Sequence, residues 1–404
     1  MKILLVLGKY LPQKNGGIEN YSHLLSTKLY KEGFTVEIAL LESPEKEAYI
    51  FDNISVNILN GSFENFKKLL QKKEYNICHF QEYSAFGGIE MFWIKAAKDL
   101  CKKVFFTFHL PYFTCYKNDF RYFDVEDCSN FSSPERCVKC VIATRLHYKK
   151  STRVNLINYG IELITPLIEK TNKIKLLKSN IRKNTNNLTE LLKYCDNVFV
   201  IAKWFKKLLE YNGFTSLKIK YIPPISASLV DISPTPDVLK KKLVFIGRIE
   251  PQKGLLLLCK AMNKISTNGI SLDVFGNKVD DRYFKKCETA HAFNFKGTIP
   301  RKELLSKLAD YDFLILPSVF TEMFPLVIQE AFFDSLPVIA SAAKGNVDVI
   351  TDGKNGFIFE YGNYKDLARV IDKAYTLKKN GWKPVFETND SHEKDLKEIL
   401  SYYS

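Results

Sequence analysis

Two parts of this 404-residue chain repeat one local pattern: a short apolar run, a glycine-containing turn, then apolar residues at helical spacing. Lys2–Leu7 leads through Gly16-Gly17 into Ile18, Tyr21, Leu24, Leu25 and Leu29, which share one face of a helix. The helix stops at Gly33, and Phe34–Leu41, rich in Val, Ile and Leu, returns as a strand. Strand–helix–strand units of this kind close as a parallel sheet. Ile77–Phe80, Val104–Phe108 and Asn197–Ile201 are further buried-strand candidates. The alternation restarts at Leu243–Ile246, with a helix around Leu255–Ile265, a strand at Ser271–Phe275, a helix around Lys302–Ala309 and a strand at Phe313–Leu316. The pattern predicts an α/β protein with two parallel sheets.

Length agrees, since at roughly 150 residues per domain the chain holds two to three domains. The interdomain linker is expected where Tyr221-Ile222-Pro223-Pro224 and then Ser233-Pro234-Thr235-Pro236 allow neither helix nor central strand to continue. The expected division is 1–222, 223–380 and a polar tail, 381–404, with a final helix at Glu393–Tyr402 that packs back on the first domain. The apolar fraction of 46% supports sizeable cores, and 26% charged residues is ordinary for a globular chain. A net charge of +14 predicts attraction to an anionic partner without choosing among nucleic acid, phosphorylated substrates and an acidic membrane face. Ile3–Gly8 is too short for a signal-peptide apolar region, and Val104–Tyr116, uncharged but holding a His and a Pro, falls far below the ~20 residues of a spanning helix. A cytoplasmic protein is expected.

The richest chemistry lies in Ser318-Val319-Phe320-Thr321-Glu322-Met323-Phe324-Pro325-Leu326-Val327-Ile328-Gln329-Glu330, just after a predicted strand. Phe324-Pro325 suits a helix start, whose unpaired N–H groups and positive dipole end can hold a phosphate. Glu322 lies just before that start and Glu330 two turns beyond it; carboxylates so placed can accept hydrogen bonds from sugar and ribose hydroxyls. Read alone, the two could equally be solvated helix-start charges. The second segment, Phe245-Ile246-Gly247-Arg248-Ile249-Glu250-Pro251-Gln252-Lys253-Gly254, puts two cations beyond the carboxyl end of a parallel strand, where open α/β sheets bind ligands. Arg offers a planar fork and Lys a point charge, a combination suited to a diphosphate.

Together with Gly16-Gly17-Ile18-Glu19 after the first strand, Phe295-Lys296-Gly297-Thr298-Ile299-Pro300 and Tyr311-Asp312-Phe313-Leu314-Ile315-Leu316-Pro317-Ser318, these segments resemble retaining nucleotide-sugar glycosyltransferases of the GT-B fold. The resemblance is strongest from Leu243 to Phe359 and implies two Rossmann-like domains facing a central cleft, the first acceptor-side and the second donor-binding. It further implies that Arg248 and Lys253 hold the donor diphosphate, that Glu330 binds the ribose, and that Glu322 with the Met323, Phe324, Pro325 and Leu326 backbone binds the donor sugar and distal phosphate. By the same resemblance Ile299 meets the nucleobase through its backbone, Gly16 and Gly17 let the first loop approach the diphosphate, and His109, at the end of Val104–Phe108, faces the donor sugar. Met323 stands where the family often has glycine, Gly276-Asn277 replaces a frequent Gly-Asp-Gly, and Asp348 stands where glutamate is usual, which leaves the transferred sugar open.

The reaction so implied moves a sugar from a nucleotide-diphosphate sugar to a glycan or lipid-linked acceptor in capsule, O-antigen or lipopolysaccharide synthesis. It needs no catalytic metal, because cations and helix N–H groups can stabilise the leaving phosphate. Two features lie outside that pattern. Cys115, Cys128, Cys137 and Cys140, in a loop-rich insert at about 110–141, have spacing that allows a structural zinc, with free or redox-active thiols the alternative. Lys139–Lys193 carries twelve Lys and Arg against three Glu, interleaved with Ile and Leu, which suits peripheral contact with an anionic membrane or a groove for a lipid diphosphate as well as an ordinary solvated face. A basic nucleic-acid-binding protein and a catalytically silent scaffold are the competing readings. The first lacks a recognition helix or RNP pattern, and the second is opposed by intact Arg248, Lys253, Glu322 and Glu330.

Overall fold

The computed structural model describes the chain apart from residues 14–15, 44, 46, 82–89, 112–113, 118–119, 123–125, 129–132, 146–170, 223–238 and 387–396. The chain forms two compact units: Met1–Ile225 with Lys394–Ser404, and Ser226–Glu393. Pro223-Pro224 and Ser233–Pro236, the expected linker, lie outside the described residues.

In the first unit the strands are β1 (Lys2–Leu7), β2 (Thr35–Leu40), β3 (Tyr49–Phe51), β4 (Ile54–Ile58), β5 (Ile77–Phe80), β6 (Lys103–Phe108), β7 (Arg121–Tyr122), β8 (Glu126–Asp127), β9 (Asn197–Val200) and β10 (Ile219–Tyr221). All but β7 and β8 join one sheet in the order β10-β9-β6-β5-β1-β2-β4-β3, parallel throughout except for the β3–β4 hairpin. That hairpin turns on Asp52 and Asn53, both at positive φ, the conformation that suits a two-residue turn to the twist of its strands. Ile3–Leu7 are fully buried because helices cover both sheet faces, at about 1.5–3 kcal/mol for each large side chain. Residues 397–401 are helical, and beyond them Tyr403 is buried against Phe105, ring centroids 5.4 Å apart and edge-on.

The second unit contains β11 (Lys242–Ile246), β12 (Ser271–Phe275), β13 (Asn294–Gly297), β14 (Phe313–Leu316), β15 (Val338–Ser341) and β16 (Gly356–Phe359). All are parallel, in the order β13-β12-β11-β14-β15-β16. This is the doubly wound order whose direction reverses between the first and fourth strands, here β11 and β14, and ligands bind beyond the carboxyl ends at that reversal. The amphipathic helix Tyr364–Lys379 covers one face, and Trp382 extends the cover by packing on Phe357 and donating from Nε1 to the Gly353 carbonyl at 2.7 Å.

The insert corrects one expectation. Among the described residues no group of three or more His, Cys, Asp or Glu could hold a metal, although Cys115, Cys128, Cys137 and Cys140 are all described. Within the insert, helix Pro134–Arg145 packs Val138 and Val141 on Ile174, Leu177 and Ile181 of helix Asn172–Tyr194, so apolar contact organises this part of it. Cys137 packs against that cluster, and Cys140 is buried with its Sγ donating to the Arg121 carbonyl at 3.6 Å. The same helices use part of the basic stretch for packing. Its residues 146–170, with Ile161, Leu163, Ile164, Leu167 and Ile168, lie outside the described residues. No helix among the described residues is long and apolar enough to cross a membrane.

Candidate active site

At the β11–β14 reversal the two outgoing loops are locked together. The turn Pro251–Lys253 ends at Gly254, whose φ of +75° is open to glycine, and a Cβ there would lie 1.9 Å from the Pro317 carbonyl oxygen. The Val319 N–H donates to the Gln252 carbonyl at 2.8 Å. Lys253 is thereby aimed across the gap, and its Nζ donates to Glu322 Oε1 at 2.9 Å while lying 4.7 Å over the Phe320 ring.

Glu322 is 6% exposed and therefore needs partners. Ser318 Oγ donates to the same Oε1 at 2.7 Å, and Ser318 is itself fixed through its carbonyl, which accepts from Ser341 Oγ at 2.8 Å. Asn346 Nδ2 in turn donates to the Ser341 carbonyl at 2.9 Å. Gly345 supports the loop from below, since a Cβ there would lie 2.3 Å from the Glu322 carbonyl oxygen. Ser318 lies inside the segment read from sequence but has no role assigned there, and Ser341, Gly345 and Asn346 lie outside the segments read from sequence. The Ser318–Glu322 spacing of four was the one legible signal, whereas the other three reach the site only through tertiary packing.

Met323 and Pro325 are buried and Phe324 half-buried; Pro325 precedes the helix Leu326–Phe333, whose first N–H groups face outward from the turn. Glu330 on that helix is ion-paired with Arg301, and burial raises its carboxyl above the usual range, opposed by Arg301 and reinforced by Asp334. Arg301 follows Ile299-Pro300 directly, so the segment expected to meet the nucleobase and the residue expected to meet the ribose are brought together. Ile299 is partly buried against the apolar cluster containing Ile328. Arg248, more than half exposed, is turned to Glu250 of its own loop, Nη2 to Oε1 2.8 Å.

The remaining candidates belong to the first unit. Gly16 caps the helix Gly17–Lys31 in extended conformation, and a Cβ on it would come within 2.4 Å of the buried Glu19 carboxylate, which folds back over the cap. Gly17 is thus the first helical residue rather than part of a free loop. Four residues on, the Tyr21 ring meets His109 edge-on at 4.8 Å. His109 follows β6 and is buried, with Nε2 donating to Gln81 Oε1 at 2.9 Å; burial pushes its pKa down to about 3. It is therefore a neutral imidazole, suited to hydrogen bonding rather than to delivering a proton as imidazolium.

Residues 233–383 match the family model for glycosyl transferases group 1. A sulfoquinovosyl transferase of Arabidopsis thaliana is 34% identical over 141 residues, covering 34% of this chain and 26% of its own length. An uncharacterised 41.2 kDa protein in the cps region of Klebsiella pneumoniae is 30% identical over 138 residues, 34% of this chain and 37% of its own. The match thus spans well under half the length of these curated relatives. Among solved structures, Anabaena HepE in complex with UDP has a TM-score of 0.62 at 16% identity, over 100% of both chains. Residues 233–383 thus match glycosyl transferases group 1, on a chain with the fold of the GT-B glycosyltransferases.

Proposed function

We propose that the chain is a retaining glycosyltransferase that moves a sugar from a nucleotide-diphosphate sugar to a glycan acceptor. The observation that carries this reading is the Lys253–Glu322 pair at the β11–β14 reversal. An ammonium has three donors, and Glu322 takes one of them, so the others can meet phosphate oxygens without the pair breaking. Arg248 supplies the second cation by exchanging Glu250 for the diphosphate. The Met323–Leu326 backbone adds N–H groups at the helix start, and Glu322 accepts from the donor sugar. Glu330 accepts from the ribose, held by Arg301, while the Ile299 backbone meets the base. In the first unit Gly16 and Gly17 give the diphosphate close approach and His109 faces the sugar.

Departure of the nucleotide diphosphate builds negative charge on phosphate and positive charge on the anomeric carbon. Preorganised cations and N–H groups stabilise the first of these and lower the barrier. Retention follows if the acceptor hydroxyl attacks from the face the phosphate vacates and that phosphate takes its proton. No side-chain general base and no catalytic metal are then required. The cps-region relative supports a role in cell-surface polysaccharide synthesis, and the UDP complex of HepE supports a UDP-sugar donor. The acceptor we propose is a glycan carried by a polyprenyl diphosphate or lipid A core. The basic helix Asn172–Tyr194 supports peripheral contact with the inner face of the cytoplasmic membrane. Lys253→Ala and Glu330→Ala should each abolish or strongly reduce transfer with the fold intact. Unchanged turnover in both would remove the assigned donor site, and liposome binding indifferent to anionic lipid and to salt would remove the membrane contact.

A further inference from the structure

The first unit contains a chain of buried polar side chains that the donor site does not account for. Tyr403, next to the end of the chain, is 1% exposed, and its hydroxyl lies 2.5 Å from His79 Nδ1 across 324 residues of sequence. The other ring nitrogen of His79 lies 2.7 Å from Thr107 Oγ1, so both nitrogens are engaged. The Gln81 amide nitrogen lies 3.0 Å from Nδ1 and 3.1 Å from Nε2 of His79, which puts the NH2 group against the imidazole rather than on one nitrogen. The far end of the same amide, Oε1, accepts from His109 Nε2 at 2.9 Å. His79, Gln81 and Thr107 are fully buried.

We propose that Tyr403, His79 and Gln81 are positioning residues that fix the tautomer and orientation of His109, so that the C-terminal segment sets the histidine assigned to the donor sugar. An amide oxygen can only accept, so Nε2 of His109 carries the proton and Nδ1 the lone pair. Reversing the Gln81 amide would set its oxygen, in place of the NH2 group, against the electron-rich face of the His79 ring, and that ring, clamped by two hydroxyls, holds the amide as it stands. Gln81 directly follows β5 and His109 directly follows β6, so the chain ends at the carboxyl edge of the sheet, where α/β folds bind ligands. A role in folding alone would be met with less desolvation cost by apolar side chains at the same places.

The inference rests on the role given to His109 above, and the experiment separates the two. In the full-length protein labelled with nitrogen-15 histidine, NMR should show His109 as the neutral Nε2–H form, and both Gln81→Leu and Tyr403→Phe should shift it toward a mixture of tautomers. Turnover is followed as nucleotide release with the nucleotide sugar that most stabilises the wild type. Gln81→Leu should lower kcat about tenfold with KM held within about twofold, the scale of one lost hydrogen bond. Combined with His109→Ala it should lower kcat no further than His109→Ala alone. Tyr403→Phe removes one oxygen and carries the test if Gln81→Leu does not fold. A His109 tautomer unmoved by Tyr403→Phe and by Gln81→Leu overturns the relay, as does an equal loss from Gln81→Leu with or without His109. Wild-type turnover in His109→Ala would instead overturn the underlying assignment.

Discussion

Gly345→Ala tests how closely the donor loop is built. The added Cβ would sit 2.3 Å from the Glu322 carbonyl oxygen and 2.8 Å from that of Met323, and both obstacles are backbone. A carbon meets a carbonyl oxygen comfortably at a little over 3 Å, so the Glu322–Met323 segment must retreat by about 1 Å in a close-packed surrounding. Overpacking of that kind costs about 1–3 kcal/mol. The same retreat moves the Glu322 carboxylate away from Lys253 and displaces the N–H groups at the start of helix Leu326–Phe333. Misplacement by about 1 Å costs roughly a hundredfold in rate where geometry decides the reaction. Urea denaturation should show the lowered stability, and nucleotide-sugar turnover should fall about a hundredfold under conditions where the variant stays folded. A variant with wild-type stability and wild-type turnover would refute the claim that Gly345 shapes the donor loop.

Other perturbations follow from the same geometry. Lys253→Ala should lower transfer by about 10²–10³-fold, the effect of removing one preorganised donor to a developing anion, measured in single-turnover assays. Glu330→Gln should change the pH dependence of stability in a defined direction. Because burial raises the folded carboxyl above its ordinary 4.5, the native state binds the extra proton, and wild type loses stability as pH rises from 4.5 through the folded value. The variant should therefore gain on wild type over that window in thermal melts, and a difference that moves the other way would count against the buried setting of Glu330. Chelation with EDTA should leave both the melting temperature and the transfer rate unchanged, and elemental analysis of reduced protein should find no stoichiometric zinc. Loss of activity restored by a divalent cation would contradict the metal-independent reading.

The central strands could be read from sequence because their signal is local. Continuous apolar runs such as Leu243–Ile246 and Phe313–Leu316 have one place to go in an α/β fold, and the structure puts strands at those residues. The helices Phe63–Lys73 and Met91–Leu100 and the β3–β4 hairpin go beyond the elements expected from sequence. The Asp52-Asn53 turn carried a signal, since both residues tolerate positive φ better than most. At the site, Lys253 and Glu322 could be named because each sits beside a strand end in a recognisable segment. Their union could not, because it depends on Gly254 closing on Pro317 and on Gly345 closing on Glu322, contacts between segments far apart in the chain. Tyr403 was least legible, a terminal tyrosine whose partner lies 324 residues away. The cysteine spacing leaves zinc and free thiols open, and among the described residues the four cysteines form no metal group while two helices of the insert meet through apolar contact.

Thermal-shift measurement of donor binding tests the central claim most directly, with UDP-, GDP- and ADP-sugars run against wild type, Lys253→Ala and Glu330→Ala. A ligand at a hundred times its Kd stabilises the fold by about 2.7 kcal/mol, a rise of several degrees for a unit of this size. The account predicts that rise for wild type with at least one nucleotide sugar and its loss in both variants. No stabilisation by any of the three classes, or an equal rise in wild type and both variants, would contradict it.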